Sequence, residues 1–161
     1  MFKINERKHR LPRDLYIGQI ICAFTICLED RQPFFVSPDV FNQLENILLS
    51  TLKKICCEAH IYYFMPDHCH FVIEGKQESS NLYKCIVEFK QRSGYWFSCS
   101  KFGVKWQKDF YDHILRRDED IIKQVKYILE NVQRKGLARD WLGYPFRGST
   151  LYNFDDWIFA G

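Results

Sequence analysis

Residues 60–75, HIYYFMPDHCHFVIEG, predict a β-hairpin at the centre of the fold. Two runs rich in β-branched and aromatic residues, 61–65 and 69–74, flank a proline-aspartate pair that is typical of a tight turn. Because side chains alternate between the two faces of a strand, we expect His68 and His70 to lie on the same face. The hairpin therefore brings two imidazole rings together.

Segments on both sides of the hairpin predict the neighbouring elements. The apolar, β-branched segment 16–28 predicts a first strand. Apolar residues at helical spacing predict a first helix that begins at Ser37-Pro38 and runs to about residue 57. Ser79 and Ser80 offer caps for a second helix over about 82–99.

The chain after the second helix predicts one more strand and one more helix. Residues 104–115 predict a short strand or an extended segment. Acidic residues at 118–120 predict the start of a helix that runs to about residue 135 and ends at Gly136. The resulting order of elements is typical of an α+β fold, in which a ferredoxin-like antiparallel sheet carries its helices on one face.

The composition predicts one soluble domain over residues 1–161, with a basic arm at 1–13 and an aromatic tail at 137–161. Hydrophobic residues make up 47% of the chain and charged residues 27%, which excludes disordered, collagen-like and low-complexity classes. The chain has no apolar run near the ~20 residues of a membrane span, no apolar signal stretch at its start, and no CxxC pair among its cysteines. We therefore expect a cytoplasmic protein with free thiols and no membrane partner.

Positive charge is concentrated near the N-terminus. The net charge is +3, and because the basic arm at 1–13 carries five Lys and Arg against one Glu, the rest of the chain sums to −1. Such an arm can grip nucleic-acid phosphates, and it is equally typical of a solvated terminus.

Two pairs of residues could carry chemistry. His68 and His70 each offer a neutral nitrogen donor for a divalent ion, although two polar residues on the wet face of a sheet give the same pattern. Tyr127 and Asn131 are four residues apart and are expected on one face of a helix. A tyrosine among apolar residues is also typical of a core, and an asparagine of a helix cap, so the residues alone leave both interpretations open.

Four longer stretches follow one another along the chain: MPDHCHF at 65–71, WQKDFYDH at 106–113, YILENVQRKGL at 127–137 and YPFRGS at 144–149. In this order they resemble the single-tyrosine HUH transposases of the IS200-like family, in the branch of the REP-associated tyrosine transposases, where REP stands for repetitive extragenic palindrome. RKHRLP at 7–12 and RQPFF at 31–35 also have counterparts in that branch. The chain departs from the pattern at Val132, where proline is usual, and at Arg147, where a small polar residue is usual.

The resemblance implies an HUH nuclease fold and a metal-dependent endonuclease and strand transferase that acts on single-stranded DNA next to hairpins. It makes His68, His70 and Asn131 the ligands of a divalent metal, Mg²⁺ or Mn²⁺, and Tyr127 the nucleophile. Attack on a phosphodiester leaves a 5′-phosphotyrosine and a free 3′-hydroxyl, so strands can be rejoined without a nucleotide cofactor. Because Mn²⁺ accepts imidazole more readily than Mg²⁺, we expect activity with both ions and tighter binding of Mn²⁺.

A phenol with a pKa of about 10 needs help to ionise, and His113 and Lys123 are the candidates for this catalytic role. His113 is equally typical of a structural histidine, and Lys123 of a phosphate contact or a plain surface residue. The expected partner is single-stranded or hairpin DNA, bound by a monomer, with a homodimer as the alternative. The residues expected to contact DNA are Arg7, Lys8, Arg10, Arg13, Lys90, Arg92, Arg134, Lys135 and Arg147.

Three other functions remain open from the sequence. A domesticated relative of these enzymes could bind DNA or RNA hairpins without cleaving them. A metal-dependent hydrolase could use Tyr127 only to orient water, in which case Tyr127→Phe would retain much of its activity. A structural cysteine-rich metal protein is disfavoured because the cysteines lack the spacing of metal ligands.

Overall fold

A computed structural model describes residues 12–35 and 37–159, the last three of them in backbone only. The described residues form five strands, which are β1 (Ile21–Cys27), β2 (Cys57–Met65), β3 (His68–Gly75), β4 (Tyr111–Leu115) and β5 (Arg147–Gly148). All neighbouring strands are antiparallel, and their order across the sheet is β4-β1-β3-β2-β5. The predicted α+β class with an antiparallel sheet is therefore confirmed.

The helices within the same ranges are α1 (Pro38–Lys54), α2 (Leu82–Cys99), α3 (Asp118–Leu129) and the single turn α4 (Asn131–Arg134). Short 3₁₀ segments lie at Arg13–Tyr16, Glu29–Arg31 and Phe154–Phe159. In this part of the chain, none of the helices combines the length and the apolar character that crossing a bilayer requires.

The predicted hairpin is confirmed as β2 and β3, and it is longer than the sequence pattern indicates. Met65 pairs with His68 across the turn at Pro66 and Asp67. The carbonyl groups of this turn accept hydrogen bonds from the backbone N–H of Phe34, at 2.7 Å, and of Leu28, at 3.0 Å. The turn that precedes the two histidines is therefore fixed by backbone contacts from the segment after β1.

Two element boundaries and one helix cap differ from the sequence predictions. α1 ends at Lys54 and not at about residue 57, where β2 begins. The first strand begins at Ile21 and not at residue 16, because the preceding residues form a 3₁₀ turn and Gly18 takes a positive φ of 116°. Asn81 caps α2 in place of the predicted serines, since its side chain accepts a hydrogen bond from the backbone N–H of Lys84 at 3.0 Å. Ser80 is engaged elsewhere, because its hydroxyl donates to the carbonyl of Cys56 at 2.6 Å.

The single helix predicted to run from residue 118 to about 135 is interrupted at Glu130. The carbonyl of Leu129 accepts a hydrogen bond from the hydroxyl of Tyr63 at 3.1 Å, while the N–H of Gln133 bonds to the carbonyl of Glu130. The helical hydrogen-bond pattern is thereby broken between α3 and α4. Gly136, with a φ of 68°, follows α4 as the predicted end of the helical region.

The helices cover both faces of the sheet. α1 and α2 pack against one face through a core that includes Phe24, Phe64 and Phe71. α3 packs against the opposite face, which presents Ala23, Ile61 and Val72 among other apolar residues. The expectation that all helices share one face is wrong for α3, because the central strands are apolar on both faces and each face must be covered.

The pairing register of the strands determines which residues lie on the face under α3. One row of directly opposed residues crosses all five strands and consists of Tyr111, Thr25, His70, Tyr63 and Arg147. Directly opposed residues point to the same face, so His70 lies near the middle of the face that α3 partly covers. We call this face, which also carries His68, the α3 face.

Candidate metal centre and nucleophile

The two histidines of β3 point toward each other on the α3 face. Their Nε2 atoms are 3.1 Å apart, and their rings meet edge to face with centroids 4.8 Å apart. His68 is buried and His70 is partly buried, while Cys69 between them is fully buried in the core on the other face. The predicted placement of both imidazoles on one face is confirmed.

Each imidazole is oriented through its other nitrogen. His68 Nδ1 lies 2.6 Å from Oδ1 of Asp67, and His70 Nδ1 lies 2.9 Å from Oγ1 of Thr25. Arg31 donates from Nε to Oδ2 of Asp67 at 2.9 Å and so fixes the carboxylate. With Nδ1 engaged in this way, the Nε2 atoms are the nitrogens left to bind a common ligand.

The electrostatics of the site favour a neutral imidazole at His70. Burial, followed by the positive charges around it, lowers the pKa of His70 well below its ordinary value. Burial of the Asp67 carboxyl opposes its ionisation, but hydrogen bonds from His68 and Arg31 outweigh this and hold its pKa well below the usual range. A neutral imidazole is the form in which a histidine nitrogen can bind a metal ion, and the ionised Asp67 carboxylate orients the neighbouring His68.

Asn131 supplies a third polar group at the same point. It is the first residue of α4, it is 8% exposed, and its amide Nδ2 lies 3.1 Å from Nε2 of His70. A half-turn of the amide exchanges nitrogen and oxygen and would place Oδ1 against the same position. The structure thus brings the sequence-predicted residues His68, His70 and Asn131 together.

This donor set fits a divalent cation. Two ligands bound at about 2.1 Å and at right angles lie about 3.0 Å apart, which matches the 3.1 Å between the Nε2 atoms. No group of three or more His, Cys, Asp or Glu side chains within the described residues could hold a metal ion. Any metal at this point would therefore be held by two imidazoles and one amide oxygen, with its remaining positions open to other ligands.

Tyr127 and Asn131 lie on either side of the interruption at Glu130. The Tyr127 side chain is 44% exposed near the end of α3, whereas Asn131 is 8% exposed at the start of α4. That the two side chains share one helical face stays a prediction. The guanidinium carbon of Arg134 lies 3.8 Å from the centroid of the Tyr127 ring, and Arg134 also donates a hydrogen bond to the Tyr127 carbonyl. Within the described residues the Tyr127 hydroxyl has no hydrogen-bond partner, so the phenol is accessible while its ring is held.

His113 and Lys123 lie on different elements. His113 stands on β4, opposite Ala23 and therefore on the α3 face, and its exposed imidazole has no hydrogen-bond partner in the described part of the chain. The interpretation of His113 as a hydrogen-bonded structural histidine finds no support in these contacts. Lys123 is exposed one turn before Tyr127 on α3. The catalytic role of either residue stays a prediction.

Several of the basic residues predicted to contact DNA make internal contacts. Lys90 donates to the carbonyls of Gln107 and Lys108, and Arg92 donates to Ile47, Ser50 and Thr51 of α1. Arg147 donates to the carbonyls of Tyr144 and Leu142, and Arg13 lies 3.8 Å from the ring centroid of Tyr83. Lys135 is exposed next to Arg134, and Arg7, Lys8 and Arg10 lie outside the described residues. DNA contact by these residues stays a prediction.

The sequence analysis missed the residues that orient the histidines. Asp67 directly precedes His68, so its role as a partner of the histidine pair could have been predicted from its position in the sequence. Thr25 and Arg31 give no such signal, because they reach the site only through the pairing of β1 with β3 and through the fixed turn.

Comparison with known proteins places these features in a family. Residues 17–131 match the family model described as Transposase IS200 like. This span includes both histidines, Tyr127 and Asn131.

Individual relatives agree with the family match. A Haemophilus influenzae protein assigned as a REP-associated tyrosine transposase is 24% identical over 132 residues, which are 73% of this chain and 74% of that protein. A solved REP-associated tyrosine transposase bound to a REP hairpin superposes with a TM-score of 0.74 at 20% identity, covering 88% of this chain and 81% of the other. A Deinococcus radiodurans protein assigned as a transposase gives 0.52 at 19% identity, covering 78% of this chain and 96% of the other. At these identities the two solved structures establish the shared fold.

Proposed function

The chain belongs to the IS200-like transposase family, and on this premise we propose that it is a metal-dependent endonuclease and strand transferase that cleaves single-stranded DNA through Tyr127. One observation carries the proposal. The Nε2 atom of His70 lies 3.1 Å from Nε2 of His68 and 3.1 Å from the amide nitrogen of Asn131. Asn131 follows two residues after the end of α3, the helix that carries Tyr127. A cation site and an accessible phenol are thus carried by adjoining elements.

The proposed reaction begins with DNA positioned at this site. His68, His70 and Asn131 would hold Mg²⁺ or Mn²⁺, while Asp67 and Thr25 keep the imidazoles in place. The ion supplies Lewis-acid polarisation of the scissile phosphate. The lowered pKa of His70 suits it to act as a neutral nitrogen donor.

Tyr127 then attacks the phosphorus in line. A bond forms between its Oη and phosphorus, the bond between phosphorus and the 3′ oxygen breaks, and the leaving oxygen takes up a proton to become a 3′-hydroxyl. The phenolic proton passes to a base. The candidates are His113, which lies on the α3 face, and Lys123, which lies on α3 itself. Attack by a 3′-hydroxyl on the phosphotyrosine reverses these steps and rejoins a strand without a nucleotide cofactor.

We propose hairpin DNA as the partner. A structural relative of this chain is bound to a REP hairpin, and residues 17–131 of this chain match the IS200-like transposase family model. The exposed cations around the site, Arg31, Arg134 and Lys135, suit a phosphate backbone. All three donors of the metal site come from one chain, which favours action as a monomer, with a homodimer as the alternative.

The test is a covalent-adduct assay with labelled hairpin oligonucleotides drawn from the repeats that flank the gene. The proposal predicts a denaturation-resistant protein–DNA adduct that requires Mg²⁺ or Mn²⁺ and is absent with Tyr127→Phe. Binding without an adduct across a broad hairpin panel would favour a non-cleaving hairpin-binding protein. Cleavage that survives Tyr127→Phe would favour a hydrolase in which the phenol only orients water.

A further inference from the structure

The edge strand β4 places a second exposed tyrosine on the α3 face. Tyr111 lies directly opposite Thr25, and Thr25 lies directly opposite His70. Neighbouring strands are about 4.8 Å apart, so the Cα atoms of Tyr111 and His70 are separated by about 10 Å across the sheet. Because directly opposed residues share a face, Tyr111 lies on the same face as the histidine pair, with Thr25 between them.

Tyr111 differs from the other exposed aromatic side chains. It is 36% exposed, and its ring and hydroxyl have no aromatic or hydrogen-bonding partner among the described residues. Phe102 packs against two other aromatic rings, and a guanidinium covers one side of the Tyr127 ring. Tyr95 is 74% exposed, but it lies on α2, which packs against the opposite face of the sheet. An open aromatic ring on the face of the proposed metal centre is thus a particular property of Tyr111.

The corner of the sheet around Tyr111 is left open by α3. The core beneath this helix includes Leu115 of β4 and continues over β2 and β3, but it includes neither Tyr111 nor His113. His113, two residues along β4, is exposed on the same face. Tyr111 and His113 therefore form an exposed, partly aromatic edge on this face, separated from His70 by the buried Thr25.

The ligand that fits this surface is an unpaired nucleobase. Bases released from a duplex stack on aromatic side chains, and this stacking is tolerant of sequence because every base has a π-face. A base seated on Tyr111 would bring an adjoining phosphate toward the histidine pair, whereas the base-paired part of a hairpin could not lie flat on a single exposed ring.

We infer that Tyr111 is a stacking platform that positions the single-stranded nucleotide next to the scissile phosphate, an inference that rests on the proposed function. It assigns to Tyr111 a role in holding the strand, separate from the nucleophilic role of Tyr127. Its action is on substrate position, so a ring is needed at residue 111 and a hydroxyl is not.

Stacking can be measured without cleavage. Hairpin oligonucleotides carrying 2-aminopurine, a fluorescent base whose emission falls on stacking, at successive single-stranded positions beside the hairpin are titrated with full-length Tyr127→Phe protein in the absence of divalent metal. At one position we expect emission to fall on binding, and we expect the fall to persist with Tyr111→Phe and to be lost with Tyr111→Leu. Loss of one stacked base should weaken binding by about 5- to 100-fold. Tyr95→Leu is the matched control and should bind as the parent protein does.

The outcomes separate this inference from the proposed function. If Tyr111→Leu and Tyr95→Leu bind and quench alike while the adduct at Tyr127 forms normally, the platform is excluded and the proposed function stands. If Tyr111→Leu abolishes quenching and the wild-type protein forms no adduct under any metal condition, the platform stands and the proposed cleavage fails. Equal loss with Tyr111→Phe and Tyr111→Leu would also overturn the platform, because stacking does not need the hydroxyl.

Discussion

The guanidinium carbon of Arg134 lies 3.8 Å from the centroid of the Tyr127 ring, and the same side chain donates a hydrogen bond to the Tyr127 carbonyl. Arg134 belongs to α4 and Tyr127 to α3, so this contact spans the interruption at Glu130. It ties Tyr127, the proposed nucleophile, to the turn that carries Asn131. The position of the phenol relative to the proposed metal site therefore depends on Arg134 as well as on α3.

We predict that Arg134→Met slows adduct formation at saturating DNA by about 2- to 5-fold, which is the scale of an exposed cation–π contact. The measurement is the single-turnover rate of adduct formation, with hairpin binding measured separately. Arg139→Met, which removes an exposed positive charge nearby in sequence, is the control for a purely electrostatic effect. Equal rates for the two variants would show that the contact with Tyr127 does not position the nucleophile.

Asp67 is predicted to support metal binding without touching the metal. Its Oδ1 lies 2.6 Å from His68 Nδ1, and removal of such a partner typically weakens metal affinity 10- to 100-fold. We expect a reduction of about this size in Mn²⁺ affinity for Asp67→Asn, measured by isothermal titration calorimetry. Glu78→Gln, which removes an exposed carboxylate from a loop, should leave the affinity unchanged. An Asp67→Asn protein that binds Mn²⁺ as tightly as the wild type would contradict the assigned role.

Asn131 is predicted to bind the ion through its amide oxygen. Asn131→Asp keeps an oxygen donor and adds a negative charge, so it should retain or raise Mn²⁺ affinity, because carboxylate is a preferred ligand of such ions. Asn131→Leu removes the donor and should lower the affinity by at least about 10-fold. The same calorimetric titration compares the two variants, with thermal unfolding as a check that both are folded. Unchanged affinity in Asn131→Leu would remove Asn131 from the donor set.

How far the site could be predicted depends on the sequence distance of the contacts. His68 and His70 follow from the alternation of a single strand, which local sequence encodes. Thr25 could not be found in this way, because its contact with His70 arises from the register of β1 against β3. The inward placement of Asn131 could not be predicted in this way either, since the break between α3 and α4 coincides with a hydrogen bond from Tyr63, which is remote in sequence, to the carbonyl of Leu129.

The layers of the fold show the same limit. The hairpin and the extents of α1 and α2 follow from local apolar spacing and from turn residues. The face on which α3 packs cannot be predicted from local sequence, because the central strands are apolar on both faces. Ala23 and Phe24, which are adjacent in β1, are both buried.

A salt bridge away from the site is predicted to make stability depend on pH. Hydrogen bonds from Thr150 and Lys76 lower the pKa of Glu58. A carboxylate with a lowered folded-state pKa stabilises the fold above its unfolded pKa of about 4.3, and this contribution is lost as the pH falls through the folded-state pKa. Glu58→Gln should therefore be less stable than the wild type at pH 7, by roughly 0.5 kcal/mol, and this difference should shrink as the pH falls below about 4. Chemical denaturation over this pH range measures this, and a difference that grows toward low pH would contradict it.

Peptide mapping of the protein–DNA adduct shows directly whether Tyr127 forms the covalent bond to DNA. Trypsin cleavage after Lys126 and Arg134 releases residues 127–134, YILENVQR, whereas residues 109–116, DFYDHILR, contain Tyr111, so each peptide carries a single tyrosine. After nuclease digestion of the bound DNA, mass spectrometry should find the 5′-phosphonucleotide on YILENVQR, and only when Mg²⁺ or Mn²⁺ was present during the reaction. A nucleotide on DFYDHILR, or active cleavage with no modified tyrosine peptide, would contradict the account.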